Sequence, residues 1–222
     1  MNEAPLLAVV VLISGKGTNL QAIIDRAATD LPIEIRAVIS TRKGVQGLQR
    51  AENAGIETRV LEHSAFADRE SYDHALIELI DSYQPGLVVL AGFMRILTPG
   101  FAHHYAGRLL NIHPSLLPKY RGLHTHQRVL DAGDDHHGAS IHFVTEELDG
   151  GPLIVQAQVP VLADDDADRL AARVQKKEHL IYPLAIGWFA QRRLKLDEEG
   201  HVILDDKQLS GPVVFSPGQT IG

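Results

Sequence analysis

The 222-residue chain has no cysteine, which excludes a disulfide framework, a thiolate nucleophile and a cysteine zinc site. Positive charge is in short supply: 21 Lys and Arg face 28 Asp and Glu, a formal net charge of −7. A surface built for nucleic acid needs the opposite balance, so an anionic ligand has to be met by a local group. Long apolar runs are also missing. The opening "MNEAPLLAVVVLIS" has an acidic flank, no basic leader and only about nine apolar residues, so it reads as a first strand and not as a signal. No other run approaches the roughly 20 residues of a membrane span, and the expectation is a cytoplasmic protein with no membrane and no nucleic-acid partner. What is present is an ordinary globular composition, 45% hydrophobic, read as one domain over 1–222.

The order of elements predicts an α/β fold. Leu6 to Ser14 is almost continuously aliphatic, as expected of a parallel strand covered on both faces. After "SGKGTN" come Leu20, Ile23, Ile24, Ala27 and Ala28 at helical spacing. "IEIRAVIS" then reads as a strand, "GLQRAENAG" as a helix ended by Gly55, and "ETRVLE" as a short strand. "RESYDHALIELIDSYQP" makes a helix stopped before Pro85, and "GLVVLAG" another apolar strand. Strand-like "RLLNIH" follows, then a helix from about His124 to Ala132 and two strands, "GASIHFV" and "PLIVQAQVPV", close enough across "DGGP" to pair antiparallel. A long helix runs from an N-cap region at Asp164–Asp166 to about Arg193, with a bend expected at Pro183. The predicted fold is therefore Rossmann-like: a doubly wound, mostly parallel sheet with an antiparallel C-terminal portion and a long C-terminal helix. Its phosphate-binding half covers about 6–108 and its catalytic half about 109–196, with at most a hairpin and a tail over 197–222.

The loop "SGKGTN" matches a dinucleotide fingerprint only in part. Gly15 and Gly17 fit G-x-G, but Leu20 stands where the third glycine belongs, and Ser40, Thr41, Arg42 and Lys43 after the second strand offer no acid for a ribose diol. This argues against a nicotinamide cofactor, and no Walker loop is present. What remains is a Gly-rich turn opening a helix, where backbone N–H groups and the helix dipole favour a single phosphate. The plainer reading is a tight turn whose glycines only permit positive φ.

In "LLNIHP" the strand period of two puts Leu110 and Ile112 on one face and Asn111 and His113 on the other. Pro114 ends the strand there, at the carboxyl edge where ligands bind in open α/β sheets. An amide donor beside an imidazole can hold a developing oxyanion and move a proton. "VTEELDGGP" adds Asp149 in a turn whose two glycines would let backbone approach a ligand, and a carboxylate next to His113 would stabilise its charged form and orient it. The plainer readings are loop-capping polar residues and an ordinary Asp-Gly turn.

Together "VVLISGKGTNLQAII", "LAGFMRIL", "LLNIHPSLLPKYRGLHTH", "GASIHFVTEELDGGPLIVQ" and "QKKEHLIYPL" resemble the phosphoribosylglycinamide formyltransferase family, folate-dependent enzymes of purine synthesis. The resemblance runs in order from about residue 8 to about 196. It implies transfer of the formyl group of 10-formyltetrahydrofolate, as co-substrate, to the amine of glycinamide ribonucleotide by direct attack. Catalysis would fall to Asn111, His113 and Asp149. Gly17, Thr18 and Asn19 would bind the 5′-phosphate, and Glu178 the glycinamide or ribose end. Met94, Arg95, Ile96 and Leu97, with Asn111, would line the folate site, and Arg69 would meet the folate's acidic tail. Members of the family often carry a neutral residue at Lys16, serine at Thr18, and Ser-Asn where this chain has Ser40-Thr41. The partners implied are these two small molecules, and the chain is expected to be a monomer or homodimer.

Read without the resemblance, "AGFMRIL" is the apolar end of a core strand, Arg95 a surface charge and Glu178 a solvated carboxylate at the edge of the face made by Leu170, Val174, Ile181 and Leu184. His124, His126, His136 and His137 suggest a metal, but no third confident ligand joins them, and no metal is expected. The alternatives are a formyltetrahydrofolate hydrolase, which would carry an amino-terminal regulatory domain; a methionyl-tRNA formyltransferase, with a carboxyl-terminal RNA-binding domain; and a non-catalytic phosphosugar or folate binder. The length and charge of the chain disfavour the first two, and the intact Asn111, His113 and Asp149 disfavour the third.

Overall fold

In the computed structural model, which describes residues 5–221, the chain divides into two compact units, residues 1–110 and 111–222. The first opens with β1 (Leu7–Ile13), whose Val9–Ile13 are fully buried, as a strand covered on both faces must be. α1 (Thr18–Ala27) buries Leu20, Ile23 and Ile24. β2 (Ile33–Ser40), α2 (Gln46–Asn53) and β3 (Thr58–Val60) follow, then α3 (Arg69–Asp81) and β4 (Leu87–Leu90). Gly55, left-handed at φ 71°, ends the α2 region as the sequence suggests.

Strands β4, β1, β2 and β3 lie side by side in that order, with all three pairings parallel. The chain runs outward from β1 to β2 and β3, then returns to place β4 on the other side of β1. The order thus reverses between β1 and β4, and the carboxyl edge at such a switch point is where this class of sheet makes room for a ligand.

β5 (Leu109–His113) begins at the end of the first unit. In the second unit α5 (Thr125–Ala132), β6 (His136–Phe143) and β7 (Leu153–Pro160) precede the long α6 (Ala167–Ala190). β6 and β7 pair antiparallel, as expected, with a register shift at Ile141/His142. The Asp166 side chain caps α6 by accepting the Arg169 N–H at 2.8 Å, and Pro183 lies within the helix.

Two elements depart from the sequence reading. Residues after α6 form more than a hairpin: β8 (Leu194–Leu196), β9 (Val202–Leu204) and β10 (Lys207–Gln208) make a three-stranded antiparallel sheet, and β11 (Val213–Phe215) adds parallel to β7. Strands of two or three residues leave no alternation to read. α4 (Pro99–His104) is a helix that the sequence reading leaves unassigned: Thr98 caps it by accepting the Phe101 N–H, and proline takes the first helical turn, where it forfeits no bond.

The buried Asp73 of α3 accepts the Thr98 N–H at 2.6 Å and so fixes the start of α4. Asp73→Ala strands that buried donor and should lower the unfolding free energy by about 1–3 kcal/mol, while Asp73→Asn, which keeps an acceptor, should lose less. Urea unfolding measures both; an unchanged midpoint in Asp73→Ala would remove this anchor from the account.

Candidate active site

The loop after β1 is a helix start without a side-chain cap. Gly17, left-handed at φ 69°, is the N-cap of α1, and its carbonyl accepts from Gln21 N at 2.9 Å. Thr18 and Asn19 supply the first helical N–H groups, which the N-cap side chain does not take up. Lys16 is exposed beside them. Thr41, the departure from Ser-Asn, uses its hydroxyl: it donates to Ser14 Oγ at 2.9 Å, inside the protein.

The segment after β4 is not the end of a core strand. Gly92, at φ 76°, turns the chain out after Leu90, and Met94 and Ile96 stand 68% and 54% exposed. Their backbone is nevertheless held: Met94 N donates to Ser14 Oγ at 3.0 Å, and Asp73 anchors Thr98. Arg95 is a half-buried cation, not a free surface charge, with its guanidinium 4.8 Å from the centroid of the Tyr72 ring. Burial pushes the Tyr72 hydroxyl up to about 12. Arg69, first residue of α3, is exposed. A fixed backbone presenting large apolar side chains to solvent makes this segment a candidate contact surface.

In the second unit Asn111, His113 and Asp149 come together, joined by His142, which the sequence reading missed. The signal was the strand period: in β6, Ala139, Ile141 and Phe143 alternate with Ser140 and His142. His113 Nδ1 lies 3.5 Å from Asp149 Oδ2, with both side chains 8% exposed. That separation is too long for a short hydrogen bond. His113 Nε2 lies 3.0 Å from the Tyr120 carbonyl, so this nitrogen is the donor. The other oxygen, Asp149 Oδ1, is 4.0 Å from His142 Nε2, and Oδ2 accepts the Gly122 N–H at 2.8 Å.

His142 has its tautomer set by its neighbours. Nδ1 lies 2.8 Å from the Phe143 carbonyl and must donate, so in the neutral ring Nε2 accepts. Asn111 Nδ2 sits 3.2 Å from that nitrogen and is its donor. Burial holds the His142 imidazole below its usual range and therefore neutral. The Asn111 amide is thus oriented nitrogen-inward, with one N–H on His142 and a second available.

The glycines after Asp149 have close neighbours inside the protein as well. A Cβ on Gly151 would lie 1.9 Å from the Phe143 carbonyl oxygen, and one on Gly150 would strike the Glu147 side chain. Asp149 itself takes the left-handed backbone, at φ 49°. Across the turn Arg121 pairs with Glu147. The bond Leu117–Pro118 is cis.

The four-histidine cluster does not form a ligand set. His126 Nδ1 and His137 Nε2 lie 2.9 Å apart and bond to each other, and among the described residues no group of three or more His, Asp or Glu is arranged to hold a metal. Burial, reinforced by His126, holds His137 at about 4. Glu178 is 8% exposed on α6, not solvated, and Tyr182 and Ala185 widen the buried face while Leu184 is only half-buried.

The formyl transferase family model matches residues 7–186. The chain belongs to the formyl transferase family. It is similar to the phosphoribosylglycinamide formyltransferase of Escherichia coli K12, 62% identical over 191 residues, which cover 86% of this chain and 90% of that one. The enzyme of the same name from Haemophilus influenzae is 46% identical over 202 residues, 90% and 95% of the two chains. Among solved structures, the phosphoribosylglycinamide formyltransferase of Coxiella burnetii, in complex with CHES, superposes with a TM-score of 0.91 at 50% identity, covering 95% of this chain and 99% of that one. Formyl transferases use formyl-folate, and among the described residues no helix is long and apolar enough to cross a membrane.

In this formyl transferase the imidazole nitrogens are a direct check on the hydrogen-bond assignment. Nitrogen-15 spectra should show His142 protonated at Nδ1 alone near neutral pH, with a titration midpoint below 6.5, and His137 titrating near about 4. A His142 ring protonated at Nε2 at neutral pH would reverse the Asn111 orientation.

Proposed function

We propose that this chain transfers the formyl group of 10-formyltetrahydrofolate to the primary amine of N1-(5-phospho-D-ribosyl)glycinamide, in purine biosynthesis. Asp149 carries this reading, a buried carboxylate facing two imidazoles, one of which orients the Asn111 amide. The match to the family runs through both units, residues 7–186, which supports treating the chain as one formyltransferase domain.

On this reading Gly17, Thr18 and Asn19 take the 5′-phosphate on backbone N–H groups and the α1 dipole, and Lys16 adds a nearby positive charge. Glu178 meets the glycinamide end. Met94, Ile96 and Leu97 give the pterin an apolar lining, Arg95 flanks it, and Arg69 pairs with the glutamate tail.

The substrate amine must be neutral to attack, and Asp149 collects its proton directly or through water. The new C–N bond leaves the formyl oxygen as a tetrahedral oxyanion. The second N–H of Asn111 donates to that oxygen, and the charge of His113 stabilises it. A ring whose two nitrogens both face acceptors, the Tyr120 carbonyl and Asp149, can donate to both only when it carries both protons. As the tetrahedral centre collapses, the bond to N10 breaks and N10 takes a proton. The looser 3.5 Å contact makes Nδ1 the nitrogen free to exchange partners and deliver it. Proton loss from the amine balances proton gain at N10, and no covalent enzyme intermediate and no metal enter the scheme. Both substrates are small molecules; nucleic acid and membrane have no part in the reaction, and it is compatible with a monomer or homodimer.

The deciding experiment supplies formyl-folate with and without glycinamide ribonucleotide and follows tetrahydrofolate release. Release only with the acceptor is expected; release without it would indicate a hydrolase, and none in either case a binder. Asn111→Ala, His113→Ala and Asp149→Asn should each lower turnover about a hundredfold to a thousandfold with circular dichroism unchanged, and a chelator should leave the rate as it was. Near-normal turnover in His113→Ala would sink its assigned role.

A further inference from the structure

Helix α2 grips the phosphate loop from behind. Gly47 N donates to the Gly15 carbonyl at 3.1 Å, and Arg50 Nε donates to the Lys16 carbonyl at 2.9 Å. Arg50 Nη1 also donates to Gln21 Oε1 of α1, at 3.2 Å, so one guanidinium ties both helices to the loop.

In a trans peptide the carbonyl and the following N–H point in opposite directions. With the Gly15 and Lys16 carbonyls turned toward α2, the N–H groups of Lys16 and Gly17 are turned away from it. They join the first N–H groups of α1 in one run of backbone donors, the arrangement that forms an anion nest.

Gly47 allows this approach by lacking a side chain. A Cβ there would lie 2.4 Å from Ile13 Cδ1, 3.0 Å from the Gly15 carbonyl oxygen and 3.3 Å from Gly17 Cα. A Cβ on Gly17 would in turn lie 2.6 Å from Gly47 Cα. The two helix starts meet glycine to glycine.

We propose that Gly47 and Arg50 are positioning residues for phosphate binding: by holding the Gly15 and Lys16 carbonyls on the α2 side they aim the Lys16 and Gly17 N–H groups at the substrate's phosphate. The proposal rests on the phosphate reading of this loop.

Two full-length variants test it, Arg50→Met and Gly47→Ala. The second is made in an Ile13→Val background, which removes the Cδ1 atom that the new methyl would meet in the core and leaves its pressure on the loop. The probes are inorganic phosphate, glycinamide ribonucleotide and the unphosphorylated glycinamide riboside. Each variant should weaken phosphate binding and raise KM for the phosphorylated acceptor roughly tenfold, the scale of one lost charged hydrogen bond. Maximal turnover and KM for formyl-folate should stay at the parent's values, and so should kcat/KM on the riboside, which a general loosening of the fold would lower. Gly47→Ala changes no charge, so a loss confined to Arg50→Met would mean that a cation and not a loop shape was removed, and would overturn the proposal. So would parental phosphate affinity in both variants. A parent enzyme that neither binds phosphate nor prefers the phosphorylated acceptor would instead overturn the phosphate reading itself.

Discussion

The Asp149 carboxylate accepts the Gly122 N–H at 2.8 Å, and that bond joins the turn between β6 and β7 to the loop after β5. The polar arrangement of the second unit depends on it. The same carboxylate faces His113, whose far nitrogen is held by the Tyr120 carbonyl two residues before Gly122. A single acid therefore fixes both the histidine and the loop that holds the histidine. Asp149 occupies the left-handed region to do so, a conformation whose strain for a residue with a side chain is of order 1–3 kcal/mol, least for Asp and Asn. Tyr120, at φ 57°, and His124, at φ 58°, are left-handed on the other side of the bond. Left-handed residues thus stand on both sides of one hydrogen bond.

The two histidines beside Asp149 show how one carboxylate can serve two opposite ends. His142 is deep in β6, its Nδ1–H is committed to the Phe143 carbonyl, and desolvation keeps it neutral. It can then accept from Asn111 and set the amide's direction. His113 faces acceptors at both nitrogens, which is an arrangement for carrying a proton. Exchange the two surroundings and the arrangement fails: a charged ring at 142 would repel the Asn111 amide hydrogens, and, on the proposed mechanism, a neutral ring at 113 with its one N–H on the Tyr120 carbonyl would have no proton for N10.

Much of this was legible in the chain. The run Leu109–His113 states its own geometry, because a period of two places Asn111 and His113 together whatever surrounds them, and the apolar β1 and β4 declare a doubly wound sheet. Gly17 announced a helix start for the same reason: the information is local. His142 stayed hidden because a histidine in an apolar strand is usually a core residue, and only its spatial neighbours give it a tautomer. Gly47 was read as part of a helix, which it is; its reason for being glycine lies far earlier in the sequence, at Gly17 and Ile13. Of the glycines after Asp149, Gly151 has a constraint that the sequence does not display, the Phe143 carbonyl 1.9 Å from where its Cβ would stand. Local pattern says which residues can act, and only packing says which neighbour each one answers to.

Ser14 shows why the two loops of the first unit have to be considered together. Its hydroxyl oxygen accepts from Thr41 at 2.9 Å and from Met94 N at 3.0 Å, while its own N–H donates to the Gly92 carbonyl at 3.1 Å. The residue that follows β1, just before the Gly15–Gly17 loop, thus also fixes the turn that sends Met94 and Ile96 outward. With both lone pairs of that oxygen engaged, moving either loop would break a buried hydrogen bond, at roughly 1–3 kcal/mol for a stranded partner. The Gly15–Gly17 loop and the apolar segment are therefore held in one fixed relation across the sheet's switch point. On the proposed function this matters more than the strength of either contact, because an acceptor anchored by its phosphate and a donor seated on Met94 and Ile96 would be held at a separation set by a shared hydroxyl and not by two independent loops.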